Sequence, residues 1–225
     1  MEKITVLLAE DHTIVREGLR ALLEAQGDIE VVGEAQTGRQ AVQLAQRFRP
    51  DVIVMDIAMP LLNGLEATRQ ILKVAPAARV LILSGYSDDE YIRQAVLFGA
   101  AGYLIKQTSA ASLATAVREV QKGKTFFSPS IADRARSFWD ESSEGGRVSK
   151  RDKNILSSRE MEVLQLIAEG KANKQVAAEL GLSIKTVEKH RQHLMSKLDL
   201  HDTAGLTRYA IAAGIIESRV QGTIL

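Results

Sequence analysis

Acidic, hydroxyl and basic side chains stand at the ends of four apolar runs in the first half of the chain. The first run is followed by Glu10 and Asp11, and the third ends at Asp56. The fourth ends at Ser84 and the fifth at Lys106, whereas the second, expected at the edge of the sheet, is given no part in the site. Parallel strands of one sheet have their carboxyl ends at one edge, where open α/β sheets bind ligands. We therefore expect three carboxylates, a hydroxyl and an ammonium group in one crevice.

This set of groups indicates phosphoryl chemistry. Three carboxylates in one crevice repel one another unless a cation lies among them or their pKa values are raised. Oxygen atoms from two or three carboxylates and water suit Mg²⁺. The lysine and the hydroxyl favour an anion beside the metal, and a phosphoryl group on a carboxylate fits. Asp56 is then the nucleophile, Mg²⁺ and Lys106 neutralise the developing charge, and Ser84 hydrogen-bonds a phosphoryl oxygen.

The elements that must position these groups alternate between two periods. Apolar runs of strand length occur at 4–9, 29–33, 52–55, 80–83 and 101–105, and helical patterns lie near 12–26, 37–47, 64–75, 88–98 and 109–122. Strict alternation with short connections predicts a parallel sheet with helices on both faces. The predicted fold of residues 1–125 is therefore a doubly wound α/β domain with a five-stranded sheet in the order 2-1-3-4-5.

The second half of the chain has a different pattern. Residues 126–153 are expected to be a linker, because 141–153 are polar, charged and contain glycine, with a short helix at about 130–139. Helical periodicity follows near 158–169, 173–180, 184–198 and 203–213. Residues 154–225 are therefore predicted to form a small all-α domain of four helices.

The segment 173–198 has the pattern of helix, tight turn, helix, and its second helix has two different faces. Val187, His190, Leu194 and Leu198 recur at intervals of three and four, which predicts the side that faces the core. The opposite side carries Lys185, Glu188, Lys189, Gln192 and Ser196. Residues 183–198 contain four basic residues and one acidic residue. A locally basic helix with such side chains can contact both phosphates and base edges of DNA.

Composition sets the remaining limits. The 225 residues are 45% hydrophobic and 25% charged, with a net charge of +1, so any DNA-binding surface must be local. The chain has no cysteine, which excludes disulfides, thiolate metal sites and cysteine nucleophiles. No signal-peptide pattern and no apolar run of membrane-spanning length is present. We therefore expect a cytoplasmic protein with no membrane partner.

The first domain resembles the receiver domain of response regulators. The residues that carry the resemblance are Glu10-Asp11-His12, Asp56-Ile57-Ala58-Met59-Pro60, Gly64, Ser84-Gly85 and Gly102-Tyr103-Leu104-Ile105-Lys106. The resemblance implies that Asp56 accepts a phosphoryl group from a sensor histidine kinase. It implies a Mg²⁺ site formed by Glu10, Asp11, Asp56 and the backbone carbonyl of Ala58. Ser84 and Tyr103 would be the switch pair, and Lys106 would contact the phosphoryl group.

Two positions in this domain leave a question open. Gln107 follows Lys106 where the family usually has a proline after a cis bond, so the conformation of the 106–107 bond is uncertain from the sequence. Tyr86, two residues beyond Ser84, could cover the phosphoryl site and slow its hydrolysis. His12 is interpreted as a surface histidine at a helix start.

The second domain resembles the helix-turn-helix domain of the LuxR/NarL/FixJ class. The quoted segments are 156–164, 168–170, 173–177 and 183–191. The resemblance implies that Glu188, Lys189 and Gln192 face bases, while Lys185, Thr186 and Arg191 contact the DNA backbone. The last helix, with Ala204, Leu206, Tyr209 and Ala210, would carry the dimer contact on DNA. Implied partners are double-stranded DNA, a second copy after activation, and RNA polymerase.

The predicted function is a phosphorylation-controlled transcription factor that is not an enzyme. Two alternatives remain open. One is a phosphoryl-transfer hydrolase with the same aspartate chemistry, although the chain lacks an insertion that could cover a substrate. The other is an interaction adaptor whose helix-turn-helix no longer binds DNA. Replacing Lys185, Lys189 and Arg191 by alanine would leave the adaptor intact but abolish DNA binding in the preferred interpretation.

Overall fold

The computed structural model describes residues 3–107, 110–143 and 156–216. Two compact units divide the chain, Met1–Lys150 and Arg151–Leu225. The boundary between them falls in the polar segment at 141–153, of which residues 144–153 lie outside the described part. The first unit extends beyond residue 125, where we expected the receiver domain to end.

The first unit alternates strands and helices from its start. Its elements are β1 (Ile4–Ala9), α1 (Thr13–Glu24), β2 (Ile29–Ala35), α2 (Gly38–Phe48), β3 (Val52–Met55), α3 (Gly64–Val74), β4 (Arg79–Ser84), α4 (Asp89–Leu97), β5 (Gly102–Ile105), α5 (Ala110–Gln121), β6 (Phe126–Phe127), a 3₁₀ turn (Pro129–Ile131) and α6 (Ala132–Ser143). The strands form one parallel sheet in the order β2-β1-β3-β4-β5-β6. The predicted order 2-1-3-4-5 is confirmed for its five strands.

The sheet has six strands, and the prediction of five was wrong by one. β6 pairs with β5 through Gly102 and Tyr103, which lie opposite Phe126 and Phe127. The Phe126 amide donates to the Ala101 carbonyl at 3.2 Å, and the Ser128 amide donates to the Tyr103 carbonyl at 3.0 Å. A strand of two residues has no period to detect, so the sequence pattern could not reveal it.

The sheet is buried on both faces, as a parallel sheet requires. One core cluster contains Leu7, Ile53, Met55, Ile82 and Tyr103, and the other contains Val6, Leu8, Val54, Leu81 and Leu104. Successive strand residues therefore point into opposite cores. Side-chain caps begin two of the helices: Thr37 accepts from the Gln40 amide, and Asn63 accepts from the Glu66 amide.

Helix α6 belongs to the first unit and packs against α4. Ile131 and Ala135 are buried in the same core cluster as the sheet. The Arg134 guanidinium contacts the Ser87 carbonyl at 3.0 Å and the Asp89 carboxylate at 2.6 Å. Trp139 lies edge-on to Phe127 with their ring centroids 6.4 Å apart. The apolar residues of this segment therefore pack on their own unit.

The second unit consists of helices α7 (Ser158–Ala168), α8 (Asn173–Leu180), α9 (Ile184–Leu198) and α10 (Thr203–Ala212). A capping box between Ser157 and Glu160 begins α7. Gly181 ends α8 with a left-handed φ of 62°, a conformation that favours glycine and allows the tight turn before α9. Leu164, Val176, Val187, Leu194 and Leu206 form the buried core. The four predicted helices are confirmed.

No helix in the described part of the chain combines the length and apolar character needed to cross a lipid bilayer.

Candidate functional site

The carboxyl ends of β1, β3 and β5 bring the predicted acidic and basic groups together. Glu10 and Asp56 are nearly inaccessible, with 1% and 4% of their surface exposed. Lys106 Nζ lies 2.8 Å from Glu10 Oε2 and 3.0 Å from Asp56 Oδ2, and thus joins the two carboxylates. The Lys106 amide donates to the Ser84 carbonyl at 2.8 Å, which fixes the loop after β5 beside β4.

Burial opposes the charge of Asp56. The pKa of Asp56 is raised from 3.8 to about 6, first because burial penalises the carboxylate and second because Glu10 repels it. Lys106 and the Ile57 amide, which donates to Asp56 Oδ1 at 2.9 Å, oppose this rise. Burial alone would lower the pKa of Lys106, but Asp56 and Glu10 raise it. The site therefore holds more negative charge than its one lysine neutralises.

The oxygen donors of this edge fit a hard divalent cation. Glu10, Asp11 and Asp56 supply carboxylate oxygens, and Ala58 lies in the loop directly after β3. Carboxylate and carbonyl oxygens without sulfur donors are the ligands that Mg²⁺ prefers. Two of these carboxylates are buried, and burial of like charges is tolerable when a cation is bound among them.

His12 has contacts with two acidic side chains that its sequence position did not predict. Its Nδ1 lies 3.0 Å from Glu10 Oε1 and 2.8 Å from Asp11 Oδ1, although 57% of the side chain is exposed. The hydrogen bond to Glu10 and the charge of Asp11 raise the pKa of His12. One ligand atom from each of these three residues lies within 4.8 Å of the others. Three consecutive polar residues after a strand were the available signal.

Ser84 and Tyr103 are both buried, with 0% and 1% of their surface exposed. Tyr103 donates its hydroxyl hydrogen to the Tyr86 carbonyl at 2.8 Å, and the Tyr86 amide donates to Ser84 Oγ at 3.1 Å. Burial raises the pKa of the Tyr103 hydroxyl. The Tyr103 ring therefore points inward, and Tyr86 joins the two members of the predicted switch pair through its backbone.

The Tyr86 side chain stacks on Tyr91 of α4, with ring centroids 4.6 Å apart and an interplanar angle of 11°. The structure thus gives this ring a packing partner, while its predicted effect on hydrolysis stays a prediction. The described residues contain no cis peptide bond, so the bond between Lys106 and Gln107 is trans. The missing proline after Lys106 is consistent with this geometry.

Gly64 allows the loop after β3 to pass close to the acceptor. A Cβ atom at Gly64 would lie 1.9 Å from the Asp56 carbonyl oxygen, which is far inside contact distance. The Gly64 amide donates to the Ile57 carbonyl at 2.8 Å. The interpretation of Gly64 as a residue that shapes this loop therefore has a physical basis.

In the second unit, α9 presents the side chains expected to contact DNA. Ser183 caps α9 by accepting from the Thr186 amide at 3.1 Å. Lys185, Glu188, Lys189, Gln192 and Ser196 are exposed, whereas Val187 and Leu194 are buried and His190 and Leu198 are half-buried. The predicted division of this helix into two faces agrees with the observed burial.

Arg191 and Thr186 differ from the other predicted DNA contacts because both are half-buried. One terminal nitrogen of Arg191 donates to Thr203 Oγ1 at 2.5 Å, and the other lies 3.4 Å from Asn173 Oδ1. Thr186 Oγ1 lies 2.8 Å from Ser183 Oγ. Arg191 therefore joins α9 to the first residues of α8 and α10.

Two of the residues implied for a dimer contact on α10 lie in the core of the second unit. Leu206 and Ala210 are fully buried inside their own unit, so they cannot form a contact with another molecule. The exposed residues of this helix are Thr203, Ala204, Arg208, Ile211 and Ala212. Of the four residues that the resemblance assigned to the dimer, Leu206 and Ala210 face the core, Tyr209 is half-buried and Ala204 is exposed, because one side of an amphipathic helix packs on its own unit.

Two families match the chain. The response regulator receiver domain covers residues 6–118, and the luxR family of bacterial regulatory proteins covers residues 154–210. The chain therefore belongs to the response regulators that join a receiver domain to a LuxR-type DNA-binding domain, a class of transcription regulators.

Individual relatives match along nearly the whole chain. The transcriptional regulatory protein LiaR of Bacillus subtilis is 41% identical over 207 residues, which are 92% of this chain and 96% of LiaR. The response regulator protein VraR of Staphylococcus aureus is 37% identical over 216 residues, 95% of this chain and 99% of VraR. The structure of RcsB from Salmonella enterica serovar Typhimurium, bound to promoter rprA with the phosphomimetic BeF₃⁻, has a TM-score of 0.58 at 25% identity, and covers 92% of this chain and 98% of RcsB.

Proposed function

We propose that Asp56 is the phosphoryl acceptor of this response regulator. The observation that carries the proposal is the contact of Lys106 Nζ with both Asp56 and Glu10 at the carboxyl edge of the sheet. An ionised Asp56 oxygen attacks the phosphorus of a phosphohistidine on a sensor kinase. The phosphorus–nitrogen bond breaks as the phosphorus–oxygen bond forms, and the freed imidazole takes up a proton. Lys106 stays beside the acceptor and balances the added negative charge.

Glu10, Asp11, Asp56 and the backbone carbonyl of Ala58 would hold Mg²⁺. When bound, the ion supplies positive charge that keeps Asp56 ionised and offsets the charge of the phosphoryl group. The raised pKa of Asp56 supports this assignment, because it reflects burial and repulsion by Glu10, both of which a bound cation would offset. A cation at these oxygens would replace the contact between His12 and the two acidic residues.

The response to phosphorylation begins at Ser84. Its hydroxyl moves to the phosphoryl oxygens, and this movement breaks the hydrogen bond with the Tyr86 amide and changes the loop that also holds the Tyr103 hydroxyl. The altered receiver surface favours a homodimer, and paired second units bind a two-fold related DNA site in the cytoplasm. The regulator then acts on transcription with RNA polymerase. It catalyses no reaction on a separate substrate.

The exposed side of α9 enters the major groove. Glu188, Lys189 and Gln192 reach base edges, while Lys185, Thr186 and Arg191 contact the DNA backbone. The exposure of Lys185, Lys189 and Gln192 supports this arrangement. Arg191 already pairs with Thr203, so its contact with a phosphate requires a shared or exchanged hydrogen bond.

The experiment that tests the proposal is selection of binding sites from a random duplex DNA pool, with and without beryllofluoride and Mg²⁺. We expect an inverted pair of half-sites, enriched mainly with the phosphoryl mimic. Equal enrichment in both conditions would contradict control by Asp56 but keep DNA binding.

A matched pair of variants separates specific contacts from charge. Lys185→Ala/Lys189→Ala should abolish the enrichment. Lys122→Ala/Lys124→Ala removes two positive charges at the end of α5, where both lysines contact Glu119, and should leave the enrichment unchanged. Absence of enrichment in the unmodified chain would favour the adaptor alternative.

A further inference from the structure

Arg16 of α1 is a buried arginine that points back to the acidic end of β1. Only 5% of its surface is exposed. One terminal nitrogen donates to the Glu10 carbonyl at 2.8 Å and lies 3.5 Å from the Asp11 carbonyl. The guanidinium thus contacts the backbone of the two residues whose side chains form the acidic part of the site.

Glu34 holds the other side of the guanidinium. The Arg16 Nε donates to Glu34 Oε2 at 3.1 Å. The second oxygen, Glu34 Oε1, accepts from Arg20 at 2.6 Å. Glu34 lies near the end of β2, a strand whose sequence pattern predicted no role at this edge. Because the Glu10 amide also donates to the Ala35 carbonyl of β2 at 3.0 Å, β2 and Arg16 constrain the same turn of chain.

We infer that Arg16, oriented by Glu34, is a positioning residue that fixes the Glu10–Asp11 backbone so that the acidic side chains can bind the divalent cation. The inference rests on the proposed function of this edge as a Mg²⁺ site. Arg16 does not touch the cation or the phosphoryl group. It acts through the two carbonyls, and partners outside the ligand sphere of a metal commonly change its affinity about 10- to 100-fold.

Charge and positioning predict opposite results. If Arg16 mattered only as a positive charge near the site, its removal would strengthen the binding of a cation. If Arg16 holds the backbone, its removal weakens that binding. Arg16→Lys keeps the charge but lacks the planar fork that reaches Glu34 and the Glu10 carbonyl together, so positioning predicts a loss there too.

The test is a Mg²⁺ titration of the full chain, followed by the NMR amide shifts of residues 10–12 and 57–59. We expect the dissociation constant to rise about tenfold or more in Arg16→Gln. A smaller increase is expected in Arg16→Lys and in Glu34→Gln. Arg20→Gln is the matched control, because Arg20 contacts the same Glu34 carboxylate but neither carbonyl. Its dissociation constant should stay within about twofold of the original value.

A second readout needs no cation. Amide hydrogen exchange at residues 10–12 should accelerate in Arg16→Gln and Arg16→Lys without Mg²⁺, and stay unchanged in Arg20→Gln. Thermal unfolding shows whether each variant is folded. If Arg16→Gln does not fold, Mg²⁺ binding and amide exchange are compared in Arg16→Lys and Glu34→Gln instead. Unchanged or tighter Mg²⁺ binding in folded Arg16 variants would overturn the inference. A lack of Mg²⁺ binding in the original chain would instead contradict the proposed site itself.

Discussion

At the scale of single residues, the site combines carboxylates that burial disfavours with a few groups that make them tolerable. Asp56 is the clearest case, since its pKa is raised to about 6 by burial and by Glu10. Its ordinary pKa is 3.8, so the folded chain binds more protons than the unfolded chain between these values. The free energy of unfolding therefore falls as the pH rises through about 4 to 6, and stays reduced above.

Asp56→Asn should stabilise the chain when no divalent cation is present. Above pH 6 we expect the free energy of unfolding to increase by about 1 to 3 kcal/mol, because the buried charge of Asp56 is removed while Lys106 retains its ion pair with Glu10. Below pH 4 the difference should vanish. Urea unfolding at pH 4 and pH 8 with a chelator measures this. Asp140→Asn, an exposed carboxylate on α6, is the control and should change little. A variant that is less stable at pH 8 would contradict the argument.

Gly64→Ala should destabilise the receiver and disturb the acceptor. The added Cβ would lie 1.9 Å from the Asp56 carbonyl oxygen. Because this oxygen belongs to the backbone, the clash can be relieved only by moving the main chain at the acceptor. We expect a loss of about 2 kcal/mol or more in the free energy of unfolding. Gly18→Ala is the matched control, because Gly18 lies in α1 and a Cβ atom added there meets no other atom within 4 Å. It should be neutral or stabilising by about 0.5 to 1 kcal/mol. Equal effects in urea unfolding would refute the steric explanation.

Residue types at strand ends predicted most of the site, because an apolar run and the polar residue after it are local in sequence. Glu10, Asp56, Ser84 and Lys106 were found in this way. Arg16 was not, because its role depends on a side chain that returns from α1 to β1 and meets Glu34 of β2. No pattern of neighbouring residues predicts these contacts of Arg16 with Glu34 and the Glu10 carbonyl.

At the scale of elements, hydrophobic period predicted every long strand and helix but not the short ones. β6 has two residues, and its aromatic side chains pack on the sheet and on Trp139 rather than following an alternation. The burial of Leu206 and Ala210 was likewise missed, since a resemblance names residues without telling which side of α10 they face. Hydrophobic periodicity indicates where a helix or strand lies and which of its sides is buried. Which short segments pair with a strand depends on the tertiary fold.

An ion pair links α7 to α9 and supports the helical unit. Lys197 Nζ lies 2.6 Å from Glu160 Oε2, which also accepts hydrogen bonds from Ser157. Burial would raise the pKa of Glu160, but Lys197 and Ser157 lower it. Because the pKa of Glu160 is lowered in the folded state, its ionised form stabilises the fold above the ordinary pKa of 4.5. This stabilisation is lost as the pH falls through the lowered pKa.

Lys197→Met should therefore weaken the second unit at neutral pH. We expect the free energy of unfolding of this unit to fall by about 1 kcal/mol. The effect is small because Glu160 retains its hydrogen bonds with Ser157 and because Lys197 is partly exposed. The loss should shrink once acid protonates Glu160. Amide hydrogen exchange of α7 and α9 in the full chain measures this locally. Lys185→Met, an exposed lysine at the start of α9, is the control. A loss that is the same at pH 3 and pH 7 would contradict the ion-pair account.

Within α9, two lysines should act on different properties of DNA binding. Lys185→Ala should weaken binding to all sequences and reduce the slope of log affinity against log salt by about 1, because it removes one phosphate contact. Lys189→Ala should relax the preference at one base position at a cost of about 1 to 3 kcal/mol. Binding measured at several salt concentrations, with matched and mismatched half-sites, separates the two. Identical behaviour of both variants would contradict the assigned contacts.

At the scale of the whole molecule, the chain consists of two compact units with separate hydrophobic cores. The proposed phosphoryl site lies entirely within the first unit and the proposed DNA-binding helix within the second. A ligand of the receiver therefore stabilises directly only the unit whose native state binds it. Regulation must then act through a change of surface or of assembly, since neither site shares a residue with the other.

Calorimetry of the full chain should show this independence. With Mg²⁺ and beryllofluoride at about 100 times their dissociation constant, the first unit gains about 2.7 kcal/mol, which raises its melting temperature by about 5 to 10 °C. The transition of the second unit should stay where it is, and Asp56→Asn should remove the shift of the first. If both transitions rise together, the two units unfold as one cooperative body, and the mimic acts on the DNA-binding unit through the folded state itself.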